Sequence, residues 1–222
     1  ISTADIGGFV AKAKQALADE VTIPPGYTVS WSGQFEYMER AANRLRIVAP
    51  VTLLIIFLLL YLNFRNIAEP LVVMLSIPFG LVGGIWLIYA YDYQMSVAVA
   101  VGFIALAGMA AEIGVLVLSF IDTEIARCRT ETGGALTGGQ IKDAVLSATS
   151  RRVRPVAMTA LSTIAGLIPI MLSTSTGSDV THRIAAPMLG GMITVMLLNL
   201  LVLPVIYSLV LQWGEAGNPG KG

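Results

Sequence analysis

Glu112 is the one acidic residue in the stretch from Met95 to Ile121, which is otherwise free of charge. A carboxyl group in such apolar surroundings costs at least about 2.5 kcal/mol on insertion scales, so it reads as a proton carrier, or else as a structural hydrogen-bonding acid. Gly108 and Ala105, one and two turns before it, are small enough to let another helix reach the carboxyl group. Thr159, Ser162 and Thr163 share a helical face with Gly166, a stripe of hydroxyls that could face Glu112. Met188, Met192 and Met196 recur every fourth residue, and Met171 closes the preceding apolar run. Thioether sulfur is a soft ligand suited to Cu(I) and, on the same ground, Ag(I). Methionine is also a flexible packing residue, and packing is the preferred reading of this stripe. His182 stands alone and reads as a surface residue, with a transient metal contact as the alternative. No paired carboxylates, Ser-His-Asp set or zinc-ligand spacing occurs, and no cofactor is expected. Gly80, Gly84 and the Gly190-Gly191 pair read as close helix contacts rather than phosphate loops, because no strand precedes them.

These residues need elements to hold them, and the composition says of what kind. Of 222 residues 55% are hydrophobic and 13% charged, against roughly a quarter charged in a soluble domain. The charges are clustered. This excludes a disordered chain, a nucleic-acid binder with a basic face, and a water-soluble globule. The lone Cys128 excludes a disulfide framework and a cysteine metal knuckle. Apolar runs cover Ile47–Leu62, Leu71–Tyr91, Met95–Ile121, Pro155–Leu172 and Ile184–Trp213. Crossing the hydrocarbon core takes roughly 20 residues of helix. With their flanks, the runs predict five membrane helices at about 41–63, 71–91, 95–122, 153–173 and 183–213. Residues 1–40 read as a soluble α+β remnant, with a helix over 2–18, a turn at Pro24-Pro25-Gly26 and a strand over 27–32. Residues 214–222 form a tail. The fold class is therefore an all-α polytopic membrane protein with a small α+β N-terminal part. A start at Ile1, without methionine, reads as a piece of a longer protein.

Basic residues set the orientation. Arg65 lies between the first two runs, while Arg127, Arg129, Lys142, Arg151, Arg152 and Arg154 lie between the third and fourth. Tyr91-Asp92-Tyr93-Gln94, between the second and third, carries none. The positive-inside rule puts the first group and the C-terminus in the cytoplasm and residues 1–40 outside it, in the periplasm of a bacterium. Arg40, Arg44 and Arg46 weigh mildly against this.

Several segments resemble the resistance-nodulation-division efflux pumps. They are Ser32-Gly33-Gln34-Phe35-Glu36, Pro78-Phe79-Gly80-Leu81-Val82-Gly83-Gly84, Gly102 to Gly108, Arg152-Val153-Arg154-Pro155, and Ala185 to Met192. The resemblance covers residues 1–213 and is strongest to the copper/silver pumps of the heavy-metal branch. It implies the C-terminal part of an inner-membrane subunit, surrounded by lipid and by the remainder of the same subunit. It further implies a homotrimer that exchanges protons for metal and passes it to a periplasmic adaptor and an outer-membrane channel. Carried over by position, Glu112, Arg152 and Thr159 belong to the proton relay, with an essential membrane Asp in the other half of the subunit. Met188, Met192, Met196 and His182 are the possible metal contacts, and Cu(I) or Ag(I) the expected cargo. Two positions depart from the copper/silver pattern. Val156 replaces a relay Lys and is similar to the divalent-metal pumps, and Thr181 replaces a metal-stepping Met. An exporter of divalent metals or organic compounds is the alternative, and a non-transporting membrane scaffold the third reading.

Overall fold

In hydrocarbon a backbone has to satisfy its own hydrogen bonds, so long apolar runs close into helices. The computed structural model describes residues 6–134 (apart from 22, 23, 25, 27, 30, 32 and 33), 136–175 and 177–216. Its helices are α1 (Ile6–Glu20), α2 (Gln34–Phe64), α3 (Ala68–Ala90), α4 (Val97–Thr132), α5 (Gly138–Leu172), α6 (Ser178–Leu197) and α7 (Leu203–Ala216). Five spans are long and apolar enough to cross a membrane: Glu39–Phe64, Ala68–Ala90, Val97–Thr132, Gly138–Leu172 and Ser178–Trp213.

The termini of these helices follow local chemistry. Ser96 accepts a hydrogen bond from the Val99 amide at the start of α4, and Thr137 with Gln140 closes a capping box on α5. Arg65 and Asp92, at the ends of α2 and α3, take φ of 55° and 52°. In that left-handed region the Arg65 amide still bonds the Tyr61 carbonyl and the Tyr93 amide the Ile88 carbonyl, which stops each helix sharply.

Three expectations change. The third and fourth membrane helices do not end near 122 or begin near 153. They run on as α4 to Thr132 and from Gly138 as α5, leaving only 133–137 between them. Ile125 on α4 and Ile141, Ala144, Val145 and Ala148 on α5 are buried, so an apolar stripe carries the two helices together past the uninterrupted runs. The last helix, one span over Ser178–Trp213, also departs from α geometry at one place. Between α6 and α7, Leu198–Val202 forms a π-helical turn. Pro204 follows it; lacking an amide hydrogen and crowding the preceding turn, proline favours such a widening. Lastly, Thr28, Val29 and Trp31 lie in no strand, while Tyr27, Ser30 and Ser32 fall outside the described residues. A strand needs others to pair with, and none occurs among the described residues.

Helices α3, α4 and α6 form the centre. Lipid is as apolar as leucine, so helices in it associate by close backbone approach. A Cβ on Gly83 would collide with the Gly190 carbonyl oxygen and the Thr194 hydroxyl. One on Gly84 would lie 2.8 Å from the Pro187 carbonyl oxygen, and one on Gly102 would strike the Ile184 carbonyl. Gly191 leaves room for Leu106. By contrast the most apolar stretches of α2 and α5 are only 6% and 11% buried, against 44% for that of α4, so α2 and α5 keep open flanks.

Candidate functional site

Between α4, α5 and α6 lies a cavity of about 140 Å³, large enough for ordered water. Met109, Glu112, Ile113 and Leu116 of α4 line it, with Arg152, Pro155, Val156 and Thr159 of α5 and Met192 of α6. The fold thus brings Glu112, Arg152 and Thr159 to one wall-to-wall space, though they come from segments about forty residues apart in sequence.

Each side chain is held differently. Glu112 is exposed on the flank of α4, and a Cβ on Gly108 one turn back would meet nothing. No helix among the described residues therefore uses the approach that Gly108 leaves open. The Arg152 guanidinium lies over the Phe120 ring, 3.0 Å from its centroid, and ring-face electrons offset its charge. Among the described residues no ion pair joins Arg152 to Glu112. Thr159 donates its hydroxyl hydrogen back to the Pro155 carbonyl (3.1 Å), and Thr163 does the same to Thr159 (3.0 Å). Ser162 is exposed and Gly166 faces open space, so the hydroxyl stripe contributes only Thr159 to the cavity. Val156 is buried in that wall and gives the cavity an isopropyl group.

The methionine stripe divides. Met192 is fully buried and lines the Glu112 cavity, Met196 packs against the core, and Met188 is half-buried. His182 sits 3.3 Å from the hydroxyl of Ser173, the residue that ends α5, and so clips the start of α6 to it. Among the described residues no three His, Cys, Asp or Glu side chains gather as a metal site.

Sequence reasoning missed a second polar cluster. Glu69 opens α3, Asp122 lies toward the far end of α4, and the Tyr207 hydroxyl of α7 reaches both. Glu69 and Tyr207 are 92% and 99% buried by their 8% and 1% exposure. Both acids flank apolar runs by one or two residues; a tyrosine inside a membrane run facing two flanking acids was the available signal. Asn199, in the π-helical turn, is likewise buried and donates to the Ala110 carbonyl at 3.4 Å.

The sequence profile described as the AcrB/AcrD/AcrF family matches residues 1–211. The chain belongs to this resistance-nodulation-division family. Within the family it is 46% identical over 212 residues to SilA of Salmonella typhimurium, covering 93% of this chain and 20% of that protein. Cation efflux system protein CusA of Escherichia coli (strain K12) is 45% identical over 207 residues, with coverage of 93% and 20%. Cobalt-zinc-cadmium resistance protein CzcA of Cupriavidus metallidurans is 42% identical over 205 residues, with coverage of 92% and 18%. A crystal structure of a heavy metal efflux pump superimposes with a TM-score of 0.75 at 32% identity, covering 92% of this chain and 19% of that one. The chain spans about a fifth of the length of these family members.

Proposed function

We propose that this chain is the proton-conducting part of an inner-membrane resistance-nodulation-division subunit that exports heavy-metal ions in exchange for protons, with Cu(I) or Ag(I) as cargo. The observation that carries the reading is the single cavity shared by Glu112, Arg152 and Thr159. Glu112 takes up and releases the proton, and Thr159 with cavity water relays it. Arg152 supplies a positive charge that Phe120 parks until the carboxylate forms. The bare flank of α4 at Gly108 and Glu112 is where the remainder of the subunit packs. The subunit works as a homotrimer with a periplasmic adaptor and an outer-membrane channel. Residues 1–40 are periplasmic, and Arg65, the α4–α5 connection and the C-terminus are cytoplasmic.

One observation favours a second cargo. Val156 puts no cation in the Glu112 cavity, and CzcA, named for cobalt, zinc and cadmium, is nearly as similar as CusA. Divalent-metal export is that second reading.

The test is Glu112→Gln in the full-length protein. Glutamine keeps the shape and hydrogen bonds and cannot ionise. Resistance to metal should vanish while expression and trimer assembly persist, and Glu112→Asp should keep part of it. Plating on copper, silver, zinc, cobalt and cadmium separates the cargoes. Full resistance in the Gln variant returns Glu112 to a structural role.

A further inference from the structure

The Glu69–Tyr207–Asp122 cluster has a hydrogen-bond count that does not close with both acids ionised. A phenol has one proton to donate. Its oxygen makes a short contact with Asp122 Oδ1 and lies 3.1 Å from Glu69 Oε1. If that proton goes to Asp122, Glu69 Oε1 faces the phenol's lone pairs. Asn66 Nδ2 donates to the same Oε1 at 3.0 Å, and the other oxygen, Oε2, is buried with no partner. A carboxylate oxygen orphaned in this way, on a side chain more than nine-tenths buried, is costly, whereas an orphaned neutral carbonyl oxygen costs much less. The charged groups that reach Asp122 are Glu69 of α3 and Arg129 of its own helix; Tyr207 of α7 and Asn66 before α3 are the uncharged partners. Among the described residues Arg129 is the one cation that acts on Asp122.

We propose that Glu69 and Asp122 hold one proton between them and that Tyr207 passes it from one to the other, making a second proton station for the same subunit. In the transfer the Glu69 Oε1–H bond breaks as a Tyr207 Oη–H bond forms. The original Tyr207 O–H bond breaks as Asp122 Oδ1–H forms. The phenol is unchanged, the proton has moved from α3 to α4, and the negative charge has moved the other way. Asp122 lies ten residues beyond Glu112 on α4, about 15 Å of helix rise. The cluster therefore stands between the Glu112 cavity and the end of the bundle that carries Arg65 and residues 133–137. Its role as the proton's route at that end rests on the exporter reading; the shared proton does not.

The two claims separate in one set of measurements on the purified full-length protein. Infrared difference spectra in H₂O and D₂O should contain a protonated-carboxyl C=O band that disappears in Glu69→Gln. In Tyr207→Phe, which keeps the ring and its packing, the band should persist but move to higher frequency as it loses its hydrogen bond. The band should be present whether or not Glu112→Gln abolishes transport, so failure of the exporter reading leaves it intact. Spectra unchanged in both Glu69→Gln and Asp122→Asn overturn the shared proton. In proteoliposomes, metal-driven proton flux should fall about a hundredfold in Tyr207→Phe, the low end of what a positioned proton-transfer group contributes. Undiminished flux in that variant overturns the transfer through Tyr207.

Discussion

Changing Met192 separates packing from metal contact. Its side chain is fully buried and forms the α6 wall of the Glu112 cavity. Truncation to alanine removes a thioether and its flanking carbon groups. In water each buried methylene is worth about 0.8 kcal/mol of transfer energy. In a bilayer most of that is absent, because the unfolded helix exposes the same group to lipid. What remains is the void and its lost contacts, so Met192→Ala should cost roughly 2 kcal/mol, the low end of the 2–5 kcal/mol seen for such truncations. Leucine nearly conserves the volume, and Met192→Leu should cost less than about 1.5 kcal/mol. Unfolding of the full-length protein by SDS titration in mixed micelles measures both. Metal resistance of the same variants supplies the second axis. If sulfur only packs, resistance should follow stability: kept in Met192→Leu, and in the triple change with Met188→Leu and Met196→Leu. A Leu variant that is stable and well expressed yet selectively sensitive to copper or silver refutes the packing argument, since only the sulfur is missing.

Other substitutions test the contacts around it. Gly83→Ala should destabilise by about 1–3 kcal/mol in the same titration, because the Gly190 carbonyl that its Cβ meets is backbone and cannot swing aside. Gly139→Ala, whose Cβ meets nothing, should be neutral or gain up to about 1 kcal/mol from helix propensity. Val156→Lys should couple to Glu112→Gln by about 1–3 kcal/mol in a double-mutant cycle, the ammonium being tolerated only beside the carboxylate; additivity would show that position 156 does not face it. Ser175→Cys on a Cys128→Ser background should react with a membrane-impermeant thiol reagent in cells whose outer membrane is permeable to it. Labelling only in inverted vesicles reverses the orientation.

The membrane spans were legible because lipid leaves few choices: a run of apolar residues long enough to cross has to be a helix. The glycine contacts were legible too, since Gly80, Gly84, Gly190 and Gly191 have no other use inside such runs, and the structure gives each a neighbouring side chain or backbone. What failed was the drawing of boundaries. Starting the second membrane helix at Leu71 left Glu69 outside it, and ending the third at 122 made Asp122 its last residue rather than one followed by ten more helical positions. The hydrogen bonds that join these acids come from Tyr207, 138 residues away from Glu69, a pairing that no local pattern encodes. The helical extensions at 123–132 and 138–152 were missed for a related reason. Their apolar residues form a narrow stripe that is diluted by arginine and glutamate, so hydropathy falls while helicity does not. The position of Glu112 was readable from its isolation. Of its cavity neighbours, Thr159 was readable from the hydroxyl stripe that could face Glu112, and Arg152 only through the resemblance, because it carries no pattern that points at α4.

The π-helical turn at Leu198–Val202 acts as a phase setting. An α-helix advances by about 100° per residue, and a π turn accommodates one residue more than the α-helical repeat without lengthening the helix in proportion. Everything beyond it is therefore rotated relative to everything before it. Met192, upstream, faces the Glu112 cavity; Tyr207, downstream, faces Glu69 and Asp122. Deleting one leucine from 198–202 would let the turn close to α-helix and leave Tyr207 near its place. Inserting one more would leave the hydropathy profile almost untouched and the span still long enough. That insertion would swing Tyr207 by about 100° out of its cluster. For this last helix, residue number works like the teeth of a gear: exchanging one apolar side chain for another leaves the phase untouched, but a further insertion here disengages one end of the bundle from the other.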